Sequence, residues 1–235
     1  MFVIEISELK VLINNKYDFV KTVCKDYIAD CSEFDFSVEI SDKEIEKEMS
    51  ICDSSISEGF AESVCLYRAI AEKLPEYDAF VLHGAAIKIN NNAYIFAAKS
   101  GVGKTTHILN WKKVYRDKVT IINGDKPIIR FKSGIPYVFG TPWSGKEDFN
   151  TNTSAILKGI IFIERSKNNS VEDIPNKNAL SLLLNQLYFP SNAALKLKTI
   201  DLINNVFDTT NCWRLYCNRS VESAVTAYDA FFKEG

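Results

Sequence analysis

Apolar and polar residues alternate in short runs near the start of the chain, a period of two that predicts strands at 2–6, 10–13 and 34–40. An amphipathic segment at 18–27 separates the second run from the third. Farther on, Val64, Leu66, Tyr67, Ile70, Ala71 and Leu74 recur at roughly 3.6-residue spacing, so 62–74 reads as a helix with one apolar stripe. From Ala79 the apolar runs tighten and predict strands at 79–82, 85–89 and 93–97. The last two meet across Asn90-Asn91-Asn92, residues that accept the backbone of a tight hairpin turn.

The rest of the pattern predicts a helix at 104–114, then a buried strand at 119–122 that ends on Asn123-Gly124-Asp125. Further strands are expected at 128–131, 137–139, 157–164 and 213–216, and helices at 178–187, 192–207 and 221–232. Strands set among helices and hairpins imply an α/β fold with a mixed β-sheet. Residues 1–78 are expected to form a small N-terminal α+β subdomain and 79–235 the main domain, within one continuous fold, since no repeat or linker interrupts the chain.

Composition narrows the function. With 235 residues, 46% hydrophobic and 25% charged, the chain has the make-up of a soluble globular domain. A net charge of −2 argues against the broad basic field used for nucleic acids or anionic membranes, so any positive site is local. No stretch approaches membrane-spanning length, and Glu5 and Glu8 precede any long apolar run, which argues against a secretory signal. Cysteines 24, 31, 52, 65, 212 and 217 form no C-x-x-C pair and have no neighbouring His cluster, as expected of reduced thiols in a cytoplasmic protein.

Between an expected strand and an expected helix stands Ala98-Lys99-Ser100-Gly101-Val102-Gly103-Lys104-Thr105. It fits the phosphate-loop pattern at every fixed position except the first, where Ala98 replaces glycine and requires a negative φ. Small residues at Gly101 and Gly103 let successive N–H groups turn inward onto phosphate oxygens, and the following helix adds its positive end. Lys104 supplies a point charge, the Thr105 hydroxyl a magnesium ligand, and Thr106 closes the nucleotide-binding stretch. Asp125, 21 residues after Lys104 (125 − 104) at the end of a buried strand, is where a second magnesium-binding carboxylate belongs. On these residues the expected cofactors are Mg2+ and a nucleoside triphosphate, taken as ATP with the choice between ATP and GTP open.

Two histidines occur. His83 ends the strand ahead of Gly84-Ala85-Ala86 and reads by itself as a structural residue, while His107 reads as structural or as a contact near the nucleotide. The segment 140–147 combines Pro142, Trp143, Ser144, Gly145 and Lys146, and is read either as a turn with a packed Trp or as a substrate loop in which Trp143 offers an aromatic platform and Lys146 a cation.

Over about 80–164 the chain resembles the P-loop kinases of the HPr kinase and ATP-dependent phosphoenolpyruvate carboxykinase superfamily. Leu82-His83-Gly84 lies 15 residues ahead of Ala98 (98 − 83), Ser100 to Thr105 match the loop core, and Gly124-Asp125 stands where that family carries adjacent aspartates. Lys104-Thr105-Thr106-His107, Asn123-Gly124-Asp125-Lys126-Pro127 and 140–146 look like a group of uncharacterised bacterial proteins related to those enzymes. The resemblance implies a mixed-sheet P-loop domain of that type. Lys104 and the loop amides would bind phosphates, Thr105 and Asp125 the metal, and His83 would lie near the γ-phosphate, with His83, Asp125 and Lys104 as the catalytic set. Gly124 departs from the family's first aspartate, the expected base toward an acceptor hydroxyl. The large N-terminal domain of HPr kinase, its C-terminal signature and the decarboxylation residues of the carboxykinase are not recognisable.

The expected partners are therefore a nucleotide and a hydroxyl acceptor, which is a peptide, a small protein or a small molecule, without nucleic acid or membrane. A homo-oligomer is left open. A kinase acting on a hydroxyl, plausible on a peptide Ser, leads; a non-catalytic ATP sensor and a carboxykinase-like enzyme on a small acid stand as alternatives.

Overall fold

The computed structural model describes residues 1–52 and 56–232. In chain order the N-terminal part contains β1 (Phe2–Ile6), β2 (Leu9–Asn14), α1 (Asp18–Val23), β3 (Ile28–Ala29), β4 (Phe36–Glu39), α2 (Asp42–Ile51) and α3 (Glu58–Lys73). The rest contains β5 (Ala79–Val81), β6 (Ala85–Ile89), β7 (Asn92–Ala97), α4 (Lys104–Tyr115), β8 (Val119–Asn123), β9 (Ile128–Lys132), β10 (Ile135–Phe139) and β11 (Ser154–Arg165). It closes with β12 (Ser170–Asp173), α5 (Asn176–Leu184), α6 (Ala193–Val206), β13 (Asn211–Cys217) and α7 (Glu222–Phe232).

The first sheet has the order β3-β1-β2-β4. Ser7 and Glu8 turn β1 into β2 with φ of 48° and 59°, the left-handed pair that a two-residue hairpin needs. Ile4, Ile6, Leu9, Val11 and Ile13 are buried, and Leu66, Ile70 and Leu74 from the expected helical stripe join the same core. The sequence pattern passed over α2. Its residues are mostly charged, and what marks it is a capping box in which Ser41 and Glu44 exchange hydrogen bonds at its start.

The second sheet is mixed, with the order β5-β9-β10-β11-β7-β6-β8, β13 beside β11 and β12 beside β13. β11 pairs in parallel with β7 along one edge; its start pairs antiparallel with β10 and its later part in parallel with β13. β6 is antiparallel to both β7 and β8, so β7 and β8 point the same way. Asn90 and Asn91, with φ of 50° and 62°, make the β6–β7 turn. Leu183, Ile203 and Val206 of α5 and α6 pack in one core of this sheet, and Ile108, Trp111 and Ala227 of α4 and α7 in the other. Asp78, at φ 56°, ends a short 3-10 helix just before β5, yet the N-terminal core runs past it to Val81, Ile128, Phe139 and Trp143. Among the described residues no helix is long and apolar enough to cross a membrane.

His107 belongs to this packing. It is 2% exposed, its ring lies 4.6 Å from that of Phe96, and Trp111 Nε1 donates to its Nε2 at 2.9 Å. Nε2 thus accepts, which leaves the proton on Nδ1, 3.3 Å from Ser223 Oγ. Burial pushes its pKa down to about 3. Between that value and about 6.5, where an unfolded imidazole titrates, the unfolded chain binds a proton that the folded one refuses. The stability that His107 contributes is therefore complete above pH 6.5 and declines as the pH falls, by up to about 1.4 kcal/mol per unit. In urea titrations at pH 7 and pH 5, His107→Phe is expected to lose about 2 kcal/mol less than the wild type over that interval; equal losses would contradict it.

Candidate functional site

The polarity of the second sheet decides which residues meet. The carboxyl ends of β7 and β8 lie at one edge, and β6, running the other way, starts at that same edge. Three segments therefore converge there: 98–103 after β7, Leu82-His83-Gly84 before β6, and Asn123-Gly124-Asp125 at the end of β8. Gly84 N donates to Asp125 O at 2.9 Å and so ties the segment before β6 to the end of β8, and His83 N donates to Gln186 O at 2.7 Å.

The glycine-rich loop takes Gly101 to φ +78° and Gly103 to φ +129°, and a Cβ on either would meet nothing within 4 Å, so glycine is required there by conformation and not by crowding. Ala98 is buried and lacks a positive φ, which is why alanine is accommodated. α4 starts immediately after Gly103 with no side-chain cap, leaving its first N–H groups to a ligand. Lys99, Ser100 and Thr106 are exposed and Thr105 half-buried. Arg165, at the end of β11, donates from Nε to Val102 O at 3.2 Å and from Nη2 to Gly101 O, which pins the loop from outside.

Lys104 is buried and curls back over the loop, its Nζ 3.0 Å from Ala98 O and 3.2 Å from His83 Nε2. The same Nε2 stands 3.1 Å from Asp125 Oδ1, and Asp125 Oδ2 lies 3.6 Å from Lys126 Nζ. One ring nitrogen cannot donate to a carboxylate and accept from an ammonium at once. With Asp125 ionised the proton sits on Nε2 and serves Asp125, and Lys104 keeps the Ala98 carbonyl. Burial lowers the Lys104 pKa, against the upward pull of Asp125. Burial raises that of Asp125, but the His83 hydrogen bond and the charges of Lys126, His83 and Lys104 outweigh it and hold the carboxyl below its ordinary value.

Asn123, fully buried, fixes this geometry. Its Oδ1 accepts from Asp125 N at 2.8 Å and Lys126 N at 2.6 Å, while its Nδ2 donates to Thr141 O and Thr141 Oγ1 at 3.0 Å. The 140–147 segment is thereby joined to the Asp125 turn. Of the two readings of Trp143, the packed one describes it. The residue is 9% exposed, its Nε1 donates to Ser63 Oγ at 3.1 Å, and its ring lies 5.6 Å from Tyr67, so it anchors the loop to α3 and offers no open platform. Ser144 is buried as well, its Oγ donating to Asp148 Oδ1 at 3.1 Å. Gly145 and Lys146 are exposed, and a Cβ on Gly145 would stand 3.2 Å from that of Asp125.

A cleft of about 710 Å3 borders the loop and the end of β11, with Asn185 and Gln186 on its far wall. Gln186 is buried and its Oε1 has no partner. Among the described residues no group of three or more His, Cys, Asp or Glu side chains could hold a metal. The hydroxyl of Thr105 and the carboxylate of Asp125 are hard oxygen donors that fit magnesium, which needs few protein ligands when phosphates and water supply the rest.

No family model and no curated protein matches the chain. Among solved structures, the HPr(Ser) kinase/phosphatase from Coxiella burnetii aligns at 12% identity over 53% of this chain and 94% of that chain, with a TM-score of 0.31.

Sequence reasoning passed over Asn123, Arg165 and Gln186 as functional residues. Asn123 had a signal, a buried strand ending in an Asx turn; Arg165 and Gln186 had none, since the fold alone brings them to the loop. Gly124 is held against backbone, which limits what its position can carry. Its N donates to Phe149 O at 2.8 Å, and a Cβ there would stand 2.8 Å from Ser144 O and 3.4 Å from Phe149 O. The backbone of 144–149 fills the space that a side chain at 124 would use. Gly124→Ala is expected to destabilise the fold by about 1–3 kcal/mol, and Gly124→Asp by at least as much. An unchanged urea midpoint in either variant would refute the contact.

Proposed function

We propose that this chain is a P-loop phosphotransferase that binds a nucleoside triphosphate with magnesium on 98–105 and passes the γ-phosphoryl group to a hydroxyl. The observation that carries the reading is the run of contacts Lys104 Nζ to His83 Nε2 to Asp125 Oδ1, at 3.2 Å and 3.1 Å, set behind a glycine-rich loop and an uncapped helix start. In it the free amides of the loop and of α4 take phosphate oxygens, and Lys104 leaves the Ala98 carbonyl for the outer phosphates. Thr105 and Asp125 would hold the metal, which supplies charge neutralisation at the β- and γ-phosphate oxygens. His83, donating from Nε2 to Asp125, keeps that carboxylate ionised and oriented. Phosphoryl transfer asks mostly for positioning and charge stabilisation, so this set suffices without a dedicated base at position 124.

A second reading has its own observation. The backbone of Ser144 and Phe149 excludes any side chain at Gly124, so the place of the expected base is closed, which favours an ATP-binding sensor that recruits a partner without transfer. Incubation with γ-labelled ATP and magnesium separates the two: label appearing on a protein or peptide hydroxyl supports the phosphotransferase, and tight binding without transfer or hydrolysis supports the sensor.

Lys104→Ala is expected to weaken Mg-ATP binding by about a hundredfold or more in calorimetry, because the outer phosphates lose a buried, directed charge. Unchanged affinity would reject the site. Asp125→Asn keeps the loop and Lys104, so nucleotide binding is expected to survive in part while magnesium-dependent turnover falls on the order of a hundredfold. Turnover at the wild-type level would remove Asp125 from the metal.

A further inference from the structure

A cavity of about 210 Å3 lies where the start of α4 meets the carboxyl ends of the parallel strands β11 and β13. Val102, Gly103 and Thr106 form its end toward the glycine-rich loop. Crevices at the carboxyl ends of neighbouring parallel strands are where open α/β sheets take ligands. This one is smaller than a pocket that encloses a drug-sized ligand, and suits one ring system as a subsite of something larger.

Its polar walls are specific. Asn110, 8% exposed, donates from Nδ2 to Ser220 O at 2.8 Å and to Arg219 O at 3.2 Å. Two carbonyls on one end of the amide set its orientation: the NH2 faces them, and Oδ1, which no described donor reaches, is left as an acceptor at the cavity. Ile163 and Cys217 give the walls apolar area. Arg219 is exposed at the rim and makes no ion pair with any described residue. A guanidinium placed so can lie flat on a heterocycle.

We infer that this cavity is the base subsite of the nucleotide and that it selects a 6-aminopurine. The inference rests on the triphosphate site proposed above and assigns the other end of the same ligand. The exocyclic amino group donates to Asn110 Oδ1 while Arg219 covers the ring. A 6-oxopurine would set oxygen against oxygen there and leave both unpaired.

The test is calorimetry on the full chain with magnesium, using ATP, inosine triphosphate and inorganic tripolyphosphate, on the wild type and Arg219→Ala. Arg219 is exposed, so its removal spares the core. ATP is expected to bind about tenfold more tightly than either other ligand. Arg219→Ala is expected to bring ATP close to tripolyphosphate, whose own affinity changes less than about threefold. Equal affinities for all three ligands in the wild type would overturn the base subsite and leave the phosphate site standing. Inosine triphosphate binding as well as ATP would overturn the role of Asn110. Equal weakening of tripolyphosphate and ATP in Arg219→Ala would place that residue on the phosphates and overturn its role at the ring. Failure of all three to bind the wild type would overturn the phosphate site and this inference with it.

Discussion

The insertion of β6, antiparallel, between the co-directional strands β7 and β8 is the constraint from which the rest of the site follows. A strand running the other way starts where its neighbours end, so the segment before β6 is delivered to the same edge as the segments after β7 and β8. That pairing is strongly held: β6 and β7 are buried on both faces, and a register slip of one residue would exchange the side chains packed in the two cores. The Asn90-Asn91 turn fixes the register locally. Because the sheet is rigid there, Lys104, His83 and Asp125 meet within hydrogen-bonding distance without a flexible loop having to find them.

Charge at this edge is unevenly supplied. Two lysines, Lys104 and Lys126, bear on one carboxylate, Asp125, while the amides at the start of α4 are uncapped, and burial already bears on both Lys104 and Asp125. His83 cannot satisfy both of its neighbours through one nitrogen. Such an arrangement gains from an added anion, which takes the ammonium and the free amides together, and from a divalent ion, which takes the carboxylate. Under the proposed function, a polyanion bound together with magnesium would meet both needs at once.

Much of the fold was legible because its signals are local. The period-two runs of β1 and β2, the stripe of α3, the Asn turn and the glycine-rich loop all depend on residues close in sequence. What was missed lacked such a signal: α2 is charged on most of its surface, β3 has two residues, and β12 is a largely exposed edge strand. In the site, Lys104, Thr105 and Asp125 stood out by motif and strand end, but the contact of His83 with both Lys104 and Asp125 depends on the direction of β6, which no spacing reveals. Trp143 shows the limit most sharply. A Trp in a Pro- and Gly-rich loop reads alike whether it is open or buried, and Ser63 and Tyr67, which decide the matter, are on a helix far back in the chain.

That same anchor joins the N-terminal part of the chain to the candidate site. Trp143 is held by Ser63 and Tyr67 of α3, and Lys126 Nζ sits 4.9 Å over the Tyr67 ring while facing Asp125. Asn123 then ties Trp143 O to the Asp125 turn at 3.4 Å. The loop so fixed puts the backbone of Ser144 and Phe149 against Gly124. Space at position 124 is thus set from two sides, by α3 through Trp143 and by the pairing of 149–151 with the end of β8, and an aspartate there would require the 140–151 segment to be repacked. Glycine at 124 and tryptophan at 143 are one structural choice, made where the two parts of the chain share a core.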